Sequence, residues 1–297
     1  MAHAAFRQLK VSFGRQVELV TTEYAGHART VAETWASEHR DGTIIGVGGD
    51  GTLNEICNGI LSATVAGGSR AVLVVCGGGN ANDQYRSWPS SQRIRPEAVL
   101  SAEPVPVDVL EMSLSAGNHK PAMPQYALSY AAIGALATGA SVVNGRRRGV
   151  LADLALIPQT LVRARPVSVV IDGRLTRVDS ISWHIIPTIA KVFRVTANSR
   201  RADGLMEVVL VPHRWWPTAL RMSWFGLRAL VWPHRPSQSA GMTFSWEQGG
   251  AVQLDGETVD IPPESDVTVR CVPAALRMLC CDIELSTKTL SSTARTN

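Results

Sequence analysis

The chain has 297 residues, 45% of them hydrophobic and 18% charged, so two domains with buried cores are expected. Its formal net charge of +4 is too small and too diffuse to indicate a nucleic-acid partner, and we exclude that class. The same charge is compatible with an anionic membrane surface.

The five cysteines are odd in number and lack the spacing of a metal site, which is typical of buried thiols in a reducing compartment. No secretory signal, lipidation motif or apolar run long enough to span a bilayer is visible. We therefore expect a cytoplasmic protein that can associate peripherally with the inner membrane surface.

The first hundred residues alternate between strand and helix patterns. We predict strands at Gln16–Thr22, Thr43–Val47 and Ala71–Val75, and a helix at Gly26–Glu38. This alternation indicates βαβ units and a Rossmann-like sheet, in which ligands bind beyond the carboxyl ends of the strands. Glycine-rich loops follow the last two of these strands, which is consistent with a single site.

The first of these loops reads Gly48-Gly49-Asp50-Gly51-Thr52, and the residues from Leu53 onwards open a helix. Closely spaced glycines let the backbone turn sharply and approach a ligand, and the first N–H groups of a helix attract anions. Because an acid and a hydroxyl lie inside the loop, a phosphate cradle is favoured over an ordinary turn.

The stretch GGDGTLNEICNG, from Gly48 to Gly59, resembles the nucleotide-binding motif of the diacylglycerol kinase catalytic family, which includes bacterial lipid kinases and sphingosine kinases. NAD kinases share the GGDGT loop, and phosphofructokinases have a related GGD loop. The continuation through Asn54, Glu55 and Asn58 favours the lipid kinases. The resemblance implies an α/β nucleotide-binding domain followed by a β-sandwich domain, with the active site between them.

The resemblance also implies that ATP is bound by both glycine loops and by Thr22, the last residue of the strand predicted at Gln16–Thr22. Gly79–Asp83 resembles the family's G-T-[GA]-N-D loop, with Asn80 in place of the threonine. Asn82 and Asp83 are equally compatible with a helix N-cap pair. The nucleotide-binding residues implied in this way are Thr22, Gly48, Gly49, Asp50, Gly51, Thr52, Leu53, Asn54, Glu55, Gly79, Asn80, Asn82 and Asp83.

The family begins with a strand and an N-P-x-[SA]-G-x-G loop, and no such stretch precedes Gln16. We therefore expect the nucleotide-binding domain to lack its first strand, which would leave the edge of a neighbouring strand unpaired. The hypothesis is that the chain is truncated or that its first domain is incomplete.

Residues after Pro106 form many short apolar or alternating runs, which is typical of a β-sandwich. Asp172-Gly173 predicts a tight hairpin turn, and Val142–Arg163 predicts the main helix of this half. We divide the chain into an α/β domain at 1–104, a β-sandwich domain at 105–285 and a flexible tail at 286–297. The predicted strands are Val107–Leu114, Gln125–Ala132, Val167–Ile171, Ile181–Ile186, Val192–Thr196, Met206–Val211, Met242–Trp246, Ala251–Leu254, Val267–Val272 and Leu276–Leu285.

The segment Gln253–Glu257, QLDGE, resembles the family's QxDGE segment and implies the catalytic acids. Phosphoryl transfer to a hydroxyl benefits from a carboxylate that takes its proton. Glu257 is the first candidate for this base, and Asp255 would support it or coordinate Mg²⁺. Asp50 would position Mg²⁺ or the phosphates, or act as the base itself. If the segment is extended, Asp255 and Glu257 point the same way. In isolation, the QLDGE segment would indicate no more than an Asp-Gly hairpin turn.

Arg200–Leu205 resembles a segment that holds a structural Mg²⁺ in bacterial lipid kinases. The resemblance implies the Asp203 side chain and the carbonyl groups of Arg200 and Leu205 as ligands, which are the hard oxygen donors that this ion prefers. An ordinary turn before the next strand is the alternative.

Residues 214–235 combine tryptophans, aliphatic residues and arginines spaced seven apart at Arg214, Arg221, Arg228 and Arg235. This composition is typical of an interfacial helix that lies in a membrane surface. A helix packed on the β-sandwich, with its arginines extended to solvent, fits equally well.

We predict an ATP- and Mg²⁺-dependent lipid kinase that transfers the γ-phosphoryl group to a hydroxyl of diacylglycerol or a related long-chain lipid. A homodimer is compatible with the sequence. An NAD kinase is the enzymatic alternative, and a membrane-associated nucleotide-binding protein without activity is the alternative from another class.

Overall fold

The computed structural model describes residues 6–7, 9–11, 17–79, 82–116, 123–138, 164–189, 193–194, 199–214, 217–218, 220, 222–224 and 236–282. Several predictions lie outside these residues. They concern Asn80, the helix at Val142–Arg163, most of the 214–235 segment and the tail at 286–297.

The N-terminal region alternates helices and parallel strands as predicted. Helix α1 (His27–Glu38) precedes β1 (Thr43–Gly48), α2 (Asp50–Gly67), β2 (Val72–Gly77), α3 (Asp83–Ser87) and β3 (Arg93–Ile94). Strands β1 and β2 are parallel, with Thr43 opposite Val72 and Gly48 opposite Gly77. Both strands therefore end at the same edge of the sheet, where the two glycine loops begin.

Helix α1 packs closely on α2 through a stripe of alanines. Ala28, Ala32 and Ala36 are spaced four apart and are buried. Gly59 of α2 faces this stripe, and a Cβ atom there would lie 2.4 Å from the Arg29 carbonyl oxygen. Glycine at this position therefore allows the two helices to approach each other.

Two predictions for this region are wrong. Residues 17–22 contain no strand, and no described strand pairs with them. Strand β1 is thus the edge of the sheet within the described residues. Helix α2 begins at Asp50 rather than at Leu53, because Asp50, Gly51 and Thr52 already adopt helical conformation after the extended N-cap residue Gly49.

The remaining strands form one hydrogen-bonded network with the first three. They are β4 (Val105–Ala116), β5 (Gln125–Ala127), β6 (Tyr130–Gly134), β7 (Val167–Ile171), β8 (Arg174–His184), β9 (Thr188–Ile189), β10 (Phe193–Arg194), β11 (Met206–Pro212), β12 (Ser237–Ser239), β13 (Gly241–Trp246), β14 (Gly250–Leu254), β15 (Glu257–Ile261) and β16 (Ser265–Cys281), with only β9 and β10 paired apart from the network. The spatial order along its main path is β1-β2-β16-β13-β7-β8-β6-β14-β15. The β-sandwich and the domain boundaries remain predictions.

Strands β4 and β16 connect two separate hydrophobic cores. Val107 and Val109 of β4 belong to the core beneath α1 and α2, whereas Leu110 and Met112 belong to a second core that the later strands enclose. Strand β16 likewise contributes to both cores and pairs antiparallel with β4 along most of its length. The run predicted at Val267–Val272 therefore continues into the run predicted from Leu276 as one strand that ends at Cys281, with a bulge between Val272 and Leu276.

The Asp172-Gly173 hairpin turn is confirmed. Both residues have positive φ angles, and Ile171 pairs with Arg174 across the turn. Among the described residues, no helix is both long and apolar enough to cross a membrane.

Candidate active site

The two glycine loops lie in direct contact at the edge of the sheet. The Gly78 N–H donates to the Gly48 carbonyl oxygen at 3.0 Å. A Cβ atom on Gly79 would lie 2.3 Å from the Cα atom of Gly49. Part of the glycine pattern is therefore explained by the packing of one loop on the other, and not by the approach of a ligand.

The start of α2 leaves backbone donors available at this edge. Gly49 is the N-cap residue, and no side chain caps the helix. The first intrahelical bond runs from the Leu53 N–H to the Gly49 carbonyl at 3.1 Å. The N–H groups of Asp50, Gly51 and Thr52 therefore have no partner within the helix, which is the arrangement that binds phosphate groups.

Leu53 serves the core, because its side chain is buried beneath the sheet and its N–H is bonded to Gly49. Neither the side chain nor the N–H of Leu53 is therefore available for the nucleotide contact that the resemblance implies.

Asp50 connects the two loops. Its carboxylate accepts the N–H of Asp83 at 3.1 Å and that of Gln84 at 3.0 Å. It therefore caps helix α3 and complements the positive end of that helix. Asn82 occupies the N-cap position itself, in a left-handed conformation, but its side chain pairs with Gly79 instead.

Glu55 lies on the side of the loop that faces helix α1. The Glu55 carboxylate accepts the N–H groups of Gly26 at 2.8 Å and Ala28 at 3.1 Å, so it caps α1. Thr22 is exposed on the chain that leads into α1. The described contacts therefore give Glu55 a structural role.

Asn54 and Asn58 attach strand β5 to helix α2. Asn58 Oδ1 accepts the Tyr126 N–H at 2.9 Å, and both side-chain amides donate to the Tyr126 carbonyl oxygen. Asn54 also donates to Asp255 Oδ2 at 3.1 Å. Asn58 was not predicted as a site residue, although a second asparagine four positions along an apolar helix could have indicated it.

Asp255 lies in a two-residue hairpin turn, which is one of the two interpretations of this segment, and the condition of an extended segment is not met. Leu254 pairs with Glu257 across the turn, and Asp255 has a φ of 47°. The side chain is 4% exposed and accepts the N–H groups of Ser129 at 2.9 Å and Tyr130 at 3.0 Å, in addition to those of Leu128 and Asn54. We call these five residues the Asp255 network.

The Asp255 network fixes the hairpin against α2 and against the start of β6. Burial raises the pKa of the Asp255 carboxyl to about 6, although the N–H donors oppose this shift. Because four donors already surround its carboxylate, Asp255 is suited to hold structure rather than to accept a substrate proton.

Glu257 projects from the same hairpin toward the first glycine loop. A Cβ atom on Gly51 would lie 3.0 Å from Glu257 Oε1, so this carboxylate faces the start of α2. Glu257 is exposed, and no hydrogen bond or ion pair within the described part of the chain engages its carboxylate. The structure thus brings together Glu257 and the Asp50–Thr52 backbone.

The residues predicted to hold a structural Mg²⁺ form a turn next to a polar cavity. Asp203 Oδ1 accepts the Leu205 N–H at 3.1 Å, and Asp108 accepts the N–H groups of Asp203 and Gly204. Ser199, Arg200, Asp203 and Gln238 line the cavity. Asp203 contributes one exposed carboxylate, and the metal there remains a prediction.

Comparison with known proteins identifies a similar family for the N-terminal region. Residues 2–112 match the model of the diacylglycerol kinase catalytic domain, which confirms the predicted resemblance for this part of the chain. A search of curated proteins found no match.

Solved structures share the fold over nearly the whole chain. One, described as "a putative diacylglycerol kinase from Bacillus anthracis str. Sterne", has a TM-score of 0.66 and 19% identity and covers 94% of this chain and 90% of that chain. A second structure with the same description has a TM-score of 0.65 and 18% identity, with coverage of 93% and 91%. At these identities the similarity establishes the fold alone.

Proposed function

We propose that the protein is an ATP-dependent kinase that transfers the γ-phosphoryl group to a hydroxyl of diacylglycerol or a related long-chain lipid. The observation that carries this proposal is the position of Glu257 at Gly51. Glu257 lies far outside residues 2–112, which match the catalytic-domain model, yet its carboxylate faces the glycine loop of that region. A phosphate cradle and a carboxylate from a separate part of the chain therefore meet at one place.

The nucleotide phosphates would bind at the N-terminus of α2. The N–H groups of Asp50, Gly51 and Thr52 are available there because the helix has no side-chain cap. The loop around Gly78 and Gly79 packs against this position and fixes its backbone.

Mg²⁺ fits this site as an ion shared with the nucleotide. Among the described residues, no group of three or more acidic, histidine or cysteine side chains could hold a metal by itself. Mg²⁺ is usually bound by one or two carboxylates together with phosphate oxygens, and Asp50 supplies a carboxylate at the loop. When bound, the ion would neutralise charge on the phosphates.

Glu257 would accept the proton of the acceptor hydroxyl as that oxygen attacks the γ-phosphorus atom. Its exposed carboxylate has no competing partner among the described residues, so it is open to a substrate. Asp255 would act through the hairpin, because its network determines where Glu257 lies.

A lipid acceptor is supported by the described part of the 214–235 segment. Leu220 is 59% exposed and Trp224 is 68% exposed, whereas Thr218 and Met222 are buried. Residues four apart lie on the same side of a helix, so the exposed side carries large apolar groups. With the arginines of this segment, such a surface suits peripheral contact with an anionic membrane.

The test is the transfer of labelled γ-phosphate from ATP and Mg²⁺, with three acceptors offered separately. These are diacylglycerol in mixed micelles with anionic phospholipid, a total lipid extract, and NAD. We expect label in the chloroform-soluble fraction of the first two reactions and none when EDTA is present. Label in NAD would establish the nucleotide kinase instead. Binding to anionic vesicles without transfer to any acceptor would favour a non-catalytic protein.

A further inference from the structure

Tyr130 is held rigidly beside the proposed site by its backbone and its ring. Its N–H donates to Asp255 Oδ1 at 3.0 Å, and its carbonyl oxygen accepts the Asp255 N–H at 3.1 Å. The ring stacks on the buried His184, with 5.9 Å between ring centroids and 20° between planes. The phenol therefore has a fixed direction.

The Tyr130 hydroxyl accepts one hydrogen bond and keeps its own hydrogen. Gln253 Nε2 donates to the hydroxyl oxygen at 3.0 Å, and Gln253 is fully buried in β14. An amide nitrogen can only donate, so the hydroxyl hydrogen is not used in this bond. No acceptor for this hydrogen occurs in the part of the chain that the structure describes. Tyr130 is partly buried, so part of the residue remains exposed.

The charges around this hydroxyl keep it protonated. Burial and the carboxylates of Asp83, Asp255 and Asp50 raise the pKa of Tyr130 well above its ordinary value, and this outweighs the opposing effect of the Gln253 donor. Asp50 and Asp83 meet at the start of α3, where the second glycine loop ends. Gln84 connects this place to the start of β6, because its N–H donates to Asp50 and its side-chain amide donates to the Leu128 carbonyl oxygen, two residues before Tyr130. Tyr130 therefore supplies a neutral donor on the side of the proposed site where β6 begins.

We propose that the Tyr130 hydroxyl donates a hydrogen bond to an oxygen of the transferring phosphoryl group, and that Gln253 is the positioning residue that orients it. This inference rests on the proposed kinase function. Negative charge is spread over the phosphoryl oxygens as the bond to the leaving group breaks, and a donor fixed in advance stabilises that charge. The tyrosine proton stays on its oxygen throughout, so the hydroxyl of the acceptor still passes its proton to Glu257.

The primary test is Tyr130→Phe, which removes the hydroxyl and keeps the stacked ring. We expect kcat to fall about 100-fold, with the KM values for ATP and lipid nearly unchanged, because the bond matters most in the transition state. Tyr24→Phe is the matched control, since Tyr24 is exposed near α1, and its rate should equal that of the wild type.

Binding of a transition-state analogue separates this role from a structural one. The affinity for ADP with aluminium fluoride should fall about 100-fold in Tyr130→Phe, while the affinity for ADP alone stays constant. Gln253→Met should reduce kcat about 10-fold, and the double variant should be no slower than Tyr130→Phe, because both changes affect one donor.

Three results would overturn the inference. The first is a Tyr130→Phe rate within threefold of that of an active wild type. The second is an equal loss of affinity for ADP and for the analogue in Tyr130→Phe. The third is a double variant whose kcat falls by the product of the two single losses. A wild type that transfers phosphate to no acceptor would refute the proposed function, and the role of Tyr130 with it. The two failures are therefore distinguished by the wild-type rate alone.

Discussion

Among the described residues, two hairpins turn at an Asp-Gly pair, and the two turns are alike in local structure and different in surroundings. Asp172-Gly173 joins β7 to β8, and Asp255-Gly256 joins β14 to β15. In each turn both residues have positive φ, 50° and 73° in the first and 47° and 101° in the second. Asp172 is exposed, whereas Asp255 is buried under four hydrogen-bond donors.

The difference shows that the turn sequence determines the hairpin conformation but not which groups the hairpin contacts. The dipeptide gives a tight two-residue connection in both places. Only the second hairpin meets α2 and the start of β6, where Asn54 and the N–H groups of residues 128–130 surround its aspartate. That contact places Glu257, the residue after the turn, opposite Gly51. The equivalent residue of the first hairpin, Arg174, is exposed.

Replacing each aspartate by asparagine should produce the largest contrast in stability. Asn keeps the turn conformation in both cases. Asp255→Asn sets an amide group against buried N–H donors, so we expect the free energy of unfolding to fall by about 3 kcal/mol. Asp172→Asn should change it by less than about 0.5 kcal/mol. Urea denaturation measures both values. Equal effects at the two turns would refute the role given to the Asp255 network.

Asp255 should also link the stability of the fold to pH. The pKa of Asp255 is raised to about 6 in the folded protein, so the fold binds this proton more tightly than the unfolded chain does. The contribution of Asp255 to stability therefore rises as the pH falls through 6 and levels off near 4.

Between pH 7 and 4.5, the stability difference between the wild type and Asp255→Asn should widen by about 2 kcal/mol. Denaturation curves at several pH values would show this. A difference that stays constant would contradict the raised pKa.

Asn54→Ala tests the link between helix α2 and the second turn. The change removes hydrogen bonds to the Tyr126 carbonyl and to Asp255, and we expect a loss of about 1–2 kcal/mol. In the Asp255→Asn background the same change should cost less, because one of its partners is already altered. Additive losses in the double variant would show that Asn54 and Asp255 do not act together.

Alanine in place of each turn glycine should give the smallest effect on stability and still separate the two turns. Both glycines have positive φ, which costs an alanine about 1 kcal/mol. Gly173→Ala should leave phosphoryl transfer unchanged, whereas Gly256→Ala should reduce it by shifting Glu257. Thermal unfolding and initial rates together would decide this, and equal rates for the two variants would count against the positioning of Glu257 by its turn.

The local features of the fold could be predicted from the sequence. The apolar runs before Gly48 and Gly77 become parallel strands, and the glycine loop leads directly into a helix. Asp172-Gly173 forms its hairpin as expected, because turn conformation depends on the two residues themselves. The motif from Gly48 to Gly59 also indicates the edge of the sheet at which the two glycine loops meet.

The roles of individual motif residues could not be predicted, because they depend on distant partners. Asp50 and Glu55 cap helices α3 and α1, and Asp255 binds backbone groups more than 120 residues away. Residues 17–22 have strand-like alternation, but none of the described strands pairs with them, and a strand requires a partner. The continuity of β16 through both cores likewise arises from pairing with β4.

The most direct test of the central claim is the rate of γ-phosphate transfer to lipid by Glu257→Gln, compared with Asp260→Asn. Asp260 is an exposed acid on the same strand and controls for the loss of one negative charge. We predict that kcat falls about 1,000-fold in Glu257→Gln, with ADP affinity and melting temperature unchanged, while Asp260→Asn keeps the wild-type rate. A Glu257→Gln rate within threefold of the wild type would contradict the account, because the carboxylate facing Gly51 would then take no proton in the reaction.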